Sequence, residues 1–166
     1  MPLAIPAEKL LAWSDTTTRK FHDFILTNPA VFTLPSDIRN STTIADTLQH
    51  IVAVELRYAQ RLASLPESPY EDVPKDTIDA ILATHNTAFE ILNNLLADPA
   101  YDWSAELTYA TITAGRLRSS REAILLHLTM HAIRHYAQLA TLVRQAGFKP
   151  TWSMDYLMME AKPVID

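Results

Sequence analysis

The chain has 166 residues and a formal charge of −5, with 14 Lys and Arg against 19 acidic residues, so its overall field does not favour a polyanion and nucleic-acid binding is not expected. With 48% apolar residues, 1–166 can bury a core as one domain, and with only two glycines it is poorly supplied for tight hairpins, which points to helices. No cysteine is present, which excludes disulfides, thiolate ligands and a cysteine nucleophile, and leaves any metal to nitrogen and oxygen donors.

The start, Met1 to Leu10, lacks the basic region and apolar stretch of a secretory signal, and no later segment approaches the ~20 apolar residues of a membrane span. A cytoplasmic protein without a membrane partner is the expectation. A first helix is predicted from near Pro6, with Leu10, Trp13, Thr17, Phe21, Phe24 and Ile25 on one side, stopping at Asn28 and Pro29. After a loop over 30–40, Thr43 followed by Asp46 marks the start of a second helix running to about Leu65. Its apolar stripe is Ile44, Leu48, Ile51, Val52, Ala59 and Leu62, and Glu55 falls in the middle, where a carboxylate needs a partner.

Three prolines make 66–74 a connection, and Asp76 is the expected cap of a third helix with the stripe Ile78, Ile81, Leu82, His85, Phe89, Leu92 and Leu96. His85 lies inside that stripe and reads as a core histidine bonded to a neighbour rather than as a ligand. Alternation of Leu107, Tyr109 and Thr111 ahead of Gly115 allows a short extended segment. Ser119 with Glu122 predicts a capping box for a long fourth helix ending at Gly147, and Ser153 and Asp155 precede a short helix at Tyr156 to Met159, expected to pack back on the body. Four amphipathic helices are most simply buried as an all-α four-helix bundle, in which metal sites are built from facing helices.

His127, His131 and His135 recur every fourth residue along the fourth helix. Residues four apart are neighbours roughly 5–6 Å apart at Cβ, so adjacent pairs can share an ion. His127 and His135 are separated by a rise of about 12 Å, so the three cannot easily serve one compact ion. The helix then supplies two ligands and a third comes from elsewhere, with His22, His50 and His85 remaining. Buried histidines that hold no metal are the competing reading.

The segment His127 to Gly147, HLTMHAIRHYAQLATLVRQAG, resembles the last core helix of the DinB-like family, with Gln138, Leu142, Arg144 and Gly147 setting the register. HIVAVELRY, His50 to Tyr58, is similar to the family's second helix, and Trp13, Trp103, Leu107 to Tyr109, and Lys149 to Tyr156 also match, so that the resemblance spans nearly the whole chain. It implies metal ligands His50, His131 and His135, with His127 auxiliary, an up-down-down-up bundle, and a homodimer acting on a small molecule. Characterised relatives include transferases and isomerases that use bacillithiol or mycothiol. The implied function is a metal-dependent, thiol-dependent S-transferase-like enzyme, with zinc or nickel the expected ion and a low-molecular-weight thiol as cofactor. A metal-dependent hydrolase, or a metal-containing ligand-binding or stress-response protein without turnover, are the alternatives. Tyr136 and Ala137 depart from the family's usual Arg-Gly, which puts that arginine's contribution to the site or to an interface in question.

Three neutral imidazoles leave open positions for water or substrate, as in catalytic sites. Glu55 is a candidate to orient an imidazole or take a proton, although five residues on an ideal helix turn it about 140° from His50, and a buried acid paired with an arginine competes. Arg57 and Arg61 lie near the face of His50 and are candidates to receive carboxylates of the thiol or of an acid substrate, against solvated surface arginines. Tyr58, Tyr109 and Trp103 can line a pocket or fill the core.

Overall fold

The computed structural model describes residues 6–111, 114–162 and 164. Four long helices, α1 (Ala7–Thr27), α2 (Ile44–Leu62), α3 (Ile78–Ala97) and α4 (Arg121–Gln145), are joined by irregular connections, with a hairpin of β1 (Glu106–Thr111) and β2 (Gly115–Ser120) before α4 and a short α5 (Leu157–Glu160) after it. α2 packs on α3 and α4, and α1 packs on the same two, so consecutive helices α1 and α2 lie on a diagonal.

Side-chain pairs give the directions. His22 meets Asp79 while Asp15 meets His85, so α1 and α3 run antiparallel. His50 meets His131 while Tyr58 meets His127, so α2 and α4 are antiparallel too. The connection after α2 returns along it, with Gln49 donating to the Val73 carbonyl and Lys75 paired with Asp46, so α3 starts at the end where α2 started and runs parallel to it. The result is the up-down-down-up bundle expected from the resemblance. Among the described residues no helix is long and apolar enough to cross a membrane.

Local chemistry explains the boundaries. Thr43 and Asp46 form a reciprocal capping box at α2, a motif whose N-cap hydrogen bond typically stabilises by about 1 kcal/mol. α2 stops at Leu62, short of Leu65, because Ser64 adopts the left-handed conformation and Leu65 donates back to the Gln60 carbonyl. Thr77, not Asp76, caps α3: its extended backbone turns Oγ1 onto the Ala80 amide. Ser120, not Ser119, caps α4. Ser119 is still paired with Leu107 in the hairpin, and its hydroxyl bonds Tyr109. The alternating segment is thus real, but its partner strand, rich in arginine and serine, carries no apolar alternation that could reveal it. Gly147, at φ +90, ends α4 where a side chain would be strained.

The core contains the whole predicted stripe of α2, including Glu55. α1 is rotated from the expected face: Leu11, Ser14 and Thr18 are buried while Leu10 and Trp13 are only partly so. This rotation brings Asp15 to His85 of α3. The last segment is held by Trp152 against Phe21 and Phe24 and by Tyr156 against Trp13. The short helix thus lies back on the body as expected, with Met159 partly buried and Glu160 paired with Lys9 of α1, while Leu157 and Met158 face solvent.

Candidate metal centre

His50 lies two turns into α2, and His131 and His135 lie one turn apart on the facing side of α4. Antiparallel packing of these helices brings the three rings together, with centroids 4.8 Å (His50 to His131), 5.0 Å (His50 to His135) and 4.4 Å (His131 to His135) apart. One nitrogen from each lies within 4.8 Å of the others, and the Nε2 atoms of His50 and His131 are 3.1 Å apart. Ligand bonds of ~2.0–2.1 Å at tetrahedral angles separate nitrogens by about 3.3 Å, so this spacing fits a shared divalent cation.

The outer nitrogens of His135 and His50 support that use, while His131 Nδ1 is buried without a hydrogen-bond partner among the described residues. Gln138 Oε1, which can only accept, bonds His135 Nδ1 at 2.8 Å, so Nδ1 carries the proton and Nε2 is left with its lone pair. The Tyr70 hydroxyl lies 3.3 Å from His50 Nδ1. Burial, then the neighbouring His135 and the guanidinium groups of Arg39 and Arg134, push His50 down to about 4. Burial, followed by His135, His50 and Arg134, takes His131 down to about 2, and burial with Arg134 lowers His135 despite its bond to Gln138. Three imidazoles neutral at pH 7 are what a divalent ion requires.

The structure places the other candidates away from this cluster. Glu55 is fully buried and bonds His85 Nδ1 at 2.7 Å, so it orients none of the three imidazoles and its partner is a histidine rather than an arginine. The 140° turn from His50 points it across the core to α3. His85 is a core histidine with carboxylates on both nitrogens, since Asp15 lies 3.1 Å from Nε2. Arg57 and Arg61 both clamp Glu67, at 2.9 Å and 2.8 Å, and Arg57 also donates to the Ser68 carbonyl. The two arginines singled out to receive a ligand carboxylate already hold one from the connection after α2. Arg61 also lies between the Tyr58 and Tyr109 rings, and Trp103 packs against the core, so these aromatics serve the packing of the hairpin.

His127 is exposed, stacked edge-on to Tyr58 at 5.4 Å and outside the three-nitrogen cluster. His22 bonds Asp79 and Asp23 on the far side of the bundle. Tyr136 is fully buried and stacked on Phe21 with centroids 5.0 Å apart, so it fills the core and cannot be a subunit contact. Only Ala137 of that departing pair faces outward.

Three residues around the cluster escaped the sequence reading: Tyr70, Arg39 and Arg134. Arg134 was detectable, because it stands three residues after His131 on a neighbouring helical position. Tyr70 and Arg39 lie in connections, where no periodicity marks which side chains turn inward.

A family model described as DinB family matches residues 8–163. Comparison with curated proteins gives no match.

Proposed function

The chain belongs to the DinB family, and from that premise we propose that it is a metal-dependent enzyme that promotes attack of a low-molecular-weight thiol on a small electrophile. The observation that carries this reading is the convergence of His50, His131 and His135, each able to offer one nitrogen to a common centre. Zinc or nickel suits an all-imidazole donor set. A divalent ion held there raises the thiolate fraction of a thiol whose free pKa is ~8.5, or lowers the pKa of water.

The chain's own residues supply the rest. Gln138 holds His135, and Tyr70 holds His50, in orientations that keep both rings turned toward one centre. Three neutral ligands leave the full charge of the ion to act on the reacting group. A homodimer is proposed with the family, its interface formed by surfaces other than the buried Tyr136.

The test is turnover by metal-loaded protein with several thiols and a generic electrophile, comparing wild type, His50→Ala and chelated protein. Thiol turnover that disappears in the last two supports the proposal. Hydrolysis of esters or amides without thiol turnover would replace it with a water-activating hydrolase, and binding of small acids or thiols at the ion without any turnover would make this a ligand-binding or stress-response protein.

A further inference from the structure

Two arginines that have no acidic partner among the described residues reach nitrogens of the histidine cluster. Arg134 Nη2 lies 3.3 Å from His135 Nε2 and Arg39 Nη1 3.4 Å from His50 Nε2, each donating to a lone pair that a shared ion would take, so an ion bound there would release both guanidinium groups to another acceptor. They come from different elements, α4 and the connection between α1 and α2, and both are exposed. Among the described residues neither has a carboxylate within ion-pair distance, whereas Arg57, Arg61 and Arg19 all do. Asp46, which acts on the cluster's neighbour Tyr70, is held by Lys75, Thr42 and Thr43.

The loop that carries Arg39 is built to hold it there. Ser36 and Ile44 donate to the carbonyls of Thr42 and Leu34, and Pro35 bridges to Thr43, so both ends of the loop are tied to the start of α2. Ile38 is buried beneath it. The next residue, Arg39, sits at φ +56, a conformation that glycine or asparagine adopts with less strain. A strained arginine between a buried anchor and a histidine nitrogen is a feature from which function can be sought.

A divalent cation among neutral imidazoles, flanked by two guanidinium groups without acids, would make a concentration of positive charge that favours an anion. Guanidinium groups suit carboxylates because their donors match both oxygens. We propose that Arg39 and Arg134 form an anion clamp beside the three-histidine centre, so that the ligand of this site is a small molecule bearing a carboxylate. This inference rests on the metal-centre reading above for the full strength of binding. It transfers the carboxylate-receiving role from Arg57 and Arg61 to a pair on the other side of the cluster.

Isothermal titration calorimetry with acetate, against acetamide as a neutral shape match, tests it on metal-free and zinc-loaded protein. The variants are Arg39→Asn, which relaxes the backbone while removing the charge, and Arg134→Gln, and elemental analysis checks their metal content. The expected result is acetate binding that is tighter in the zinc-loaded protein, weakened at least tenfold by either variant, with metal content unchanged and no response to acetamide. Acetate affinity that both variants leave unchanged, or acetamide binding as well as acetate, overturns the clamp even if zinc is bound normally. Arginine-dependent acetate binding by a protein that takes up no zinc keeps the clamp and overturns the metal centre instead.

Discussion

The bundle contains two histidine sites whose surroundings are opposite in charge. At the α2–α4 face, the polar neighbours of His50, His131 and His135 among the described residues are one another, His127, Tyr70, Gln138 and two arginines, with no acid, and burial with the positive groups holds all three neutral. Across α2, His85 is enclosed between Glu55 and Asp15. Burial alone would lower it, but the Glu55 charge and the hydrogen bonds that the ring donates to both acids outweigh burial and raise it to about 9. The same side chain is thus a lone-pair donor in one place and a cation in the other. What distinguishes them is the presence or absence of acids in the shell around the ring, a property distributed over α1, α2 and α3 that histidine spacing alone does not express.

The strongest break of this contrast is to remove a ligand. His131→Ala or His135→Ala should abolish retention of zinc or nickel, because two nitrogens do not complete the site. Elemental analysis of protein purified without a histidine tag measures this. Full metal content in either variant would place the ion elsewhere.

The second break falls on the ion-paired site. Glu55→Ala leaves the His85 cation buried with Asp15 alone, and breaking such a pair by removing one partner typically costs about 3–5 kcal/mol. Urea unfolding monitored by circular dichroism should show this loss. Metal content of the folded fraction should be unchanged, since Glu55 touches none of the three histidines. Loss of metal without loss of stability would restore the role first expected for Glu55.

How far the two sites were legible follows from the same contrast. The α2 stripe and the histidine repeat of α4 could be read because they depend on helical spacing, whereas the choice of His131 and His135 within that repeat, and of His50 as the third ligand, depended on the resemblance of the α4 segment and HIVAVELRY to known helices. Glu55 was visible as an acid needing a partner, and its angle from His50 pointed the right way. Its pairing with His85, whose other nitrogen meets Asp15, could not be read, because it depends on how α2 and α1 are turned against α3. Arg57 and Arg61 looked available on α2, and nothing in their spacing shows that the chain folds Glu67 back onto them. The β2 strand was hidden for a related reason: an exposed hairpin arm need not alternate.

A smaller effect separates the sites by pH. The folded pKa of His85, about 9, lies above its ordinary value of ~6.5, so between those values the native state keeps a proton that the unfolded chain has released. This group's contribution to stability is complete below about pH 6.5 and is lost as pH rises through about 9. Thermal unfolding of metal-free protein from pH 7 to 10 should show a falling midpoint, and Glu55→Ala should flatten that fall. A wild-type midpoint that is level across this range would mean that His85 is neutral in the native state.

The smallest expected effect is that of His127→Ala. His127 shares the four-residue spacing that first suggested the site, and its ring centroid is 5.7 Å from that of His131, yet it is exposed and stands outside the three-nitrogen cluster. The rise of about 12 Å between His127 and His135 explains why one ion cannot use both ends of the stripe. The variant should therefore keep most of its metal, with affinity changed by no more than a few-fold through the loss of packing against Tyr58. Competition with a chromophoric chelator resolves such a difference. A loss equal to that of His131→Ala would move the site one turn toward the start of α4, and would require the third ligand to come from a residue of α2 beyond His50, where Glu55 is already bound to His85 and Tyr58 is the side chain in contact.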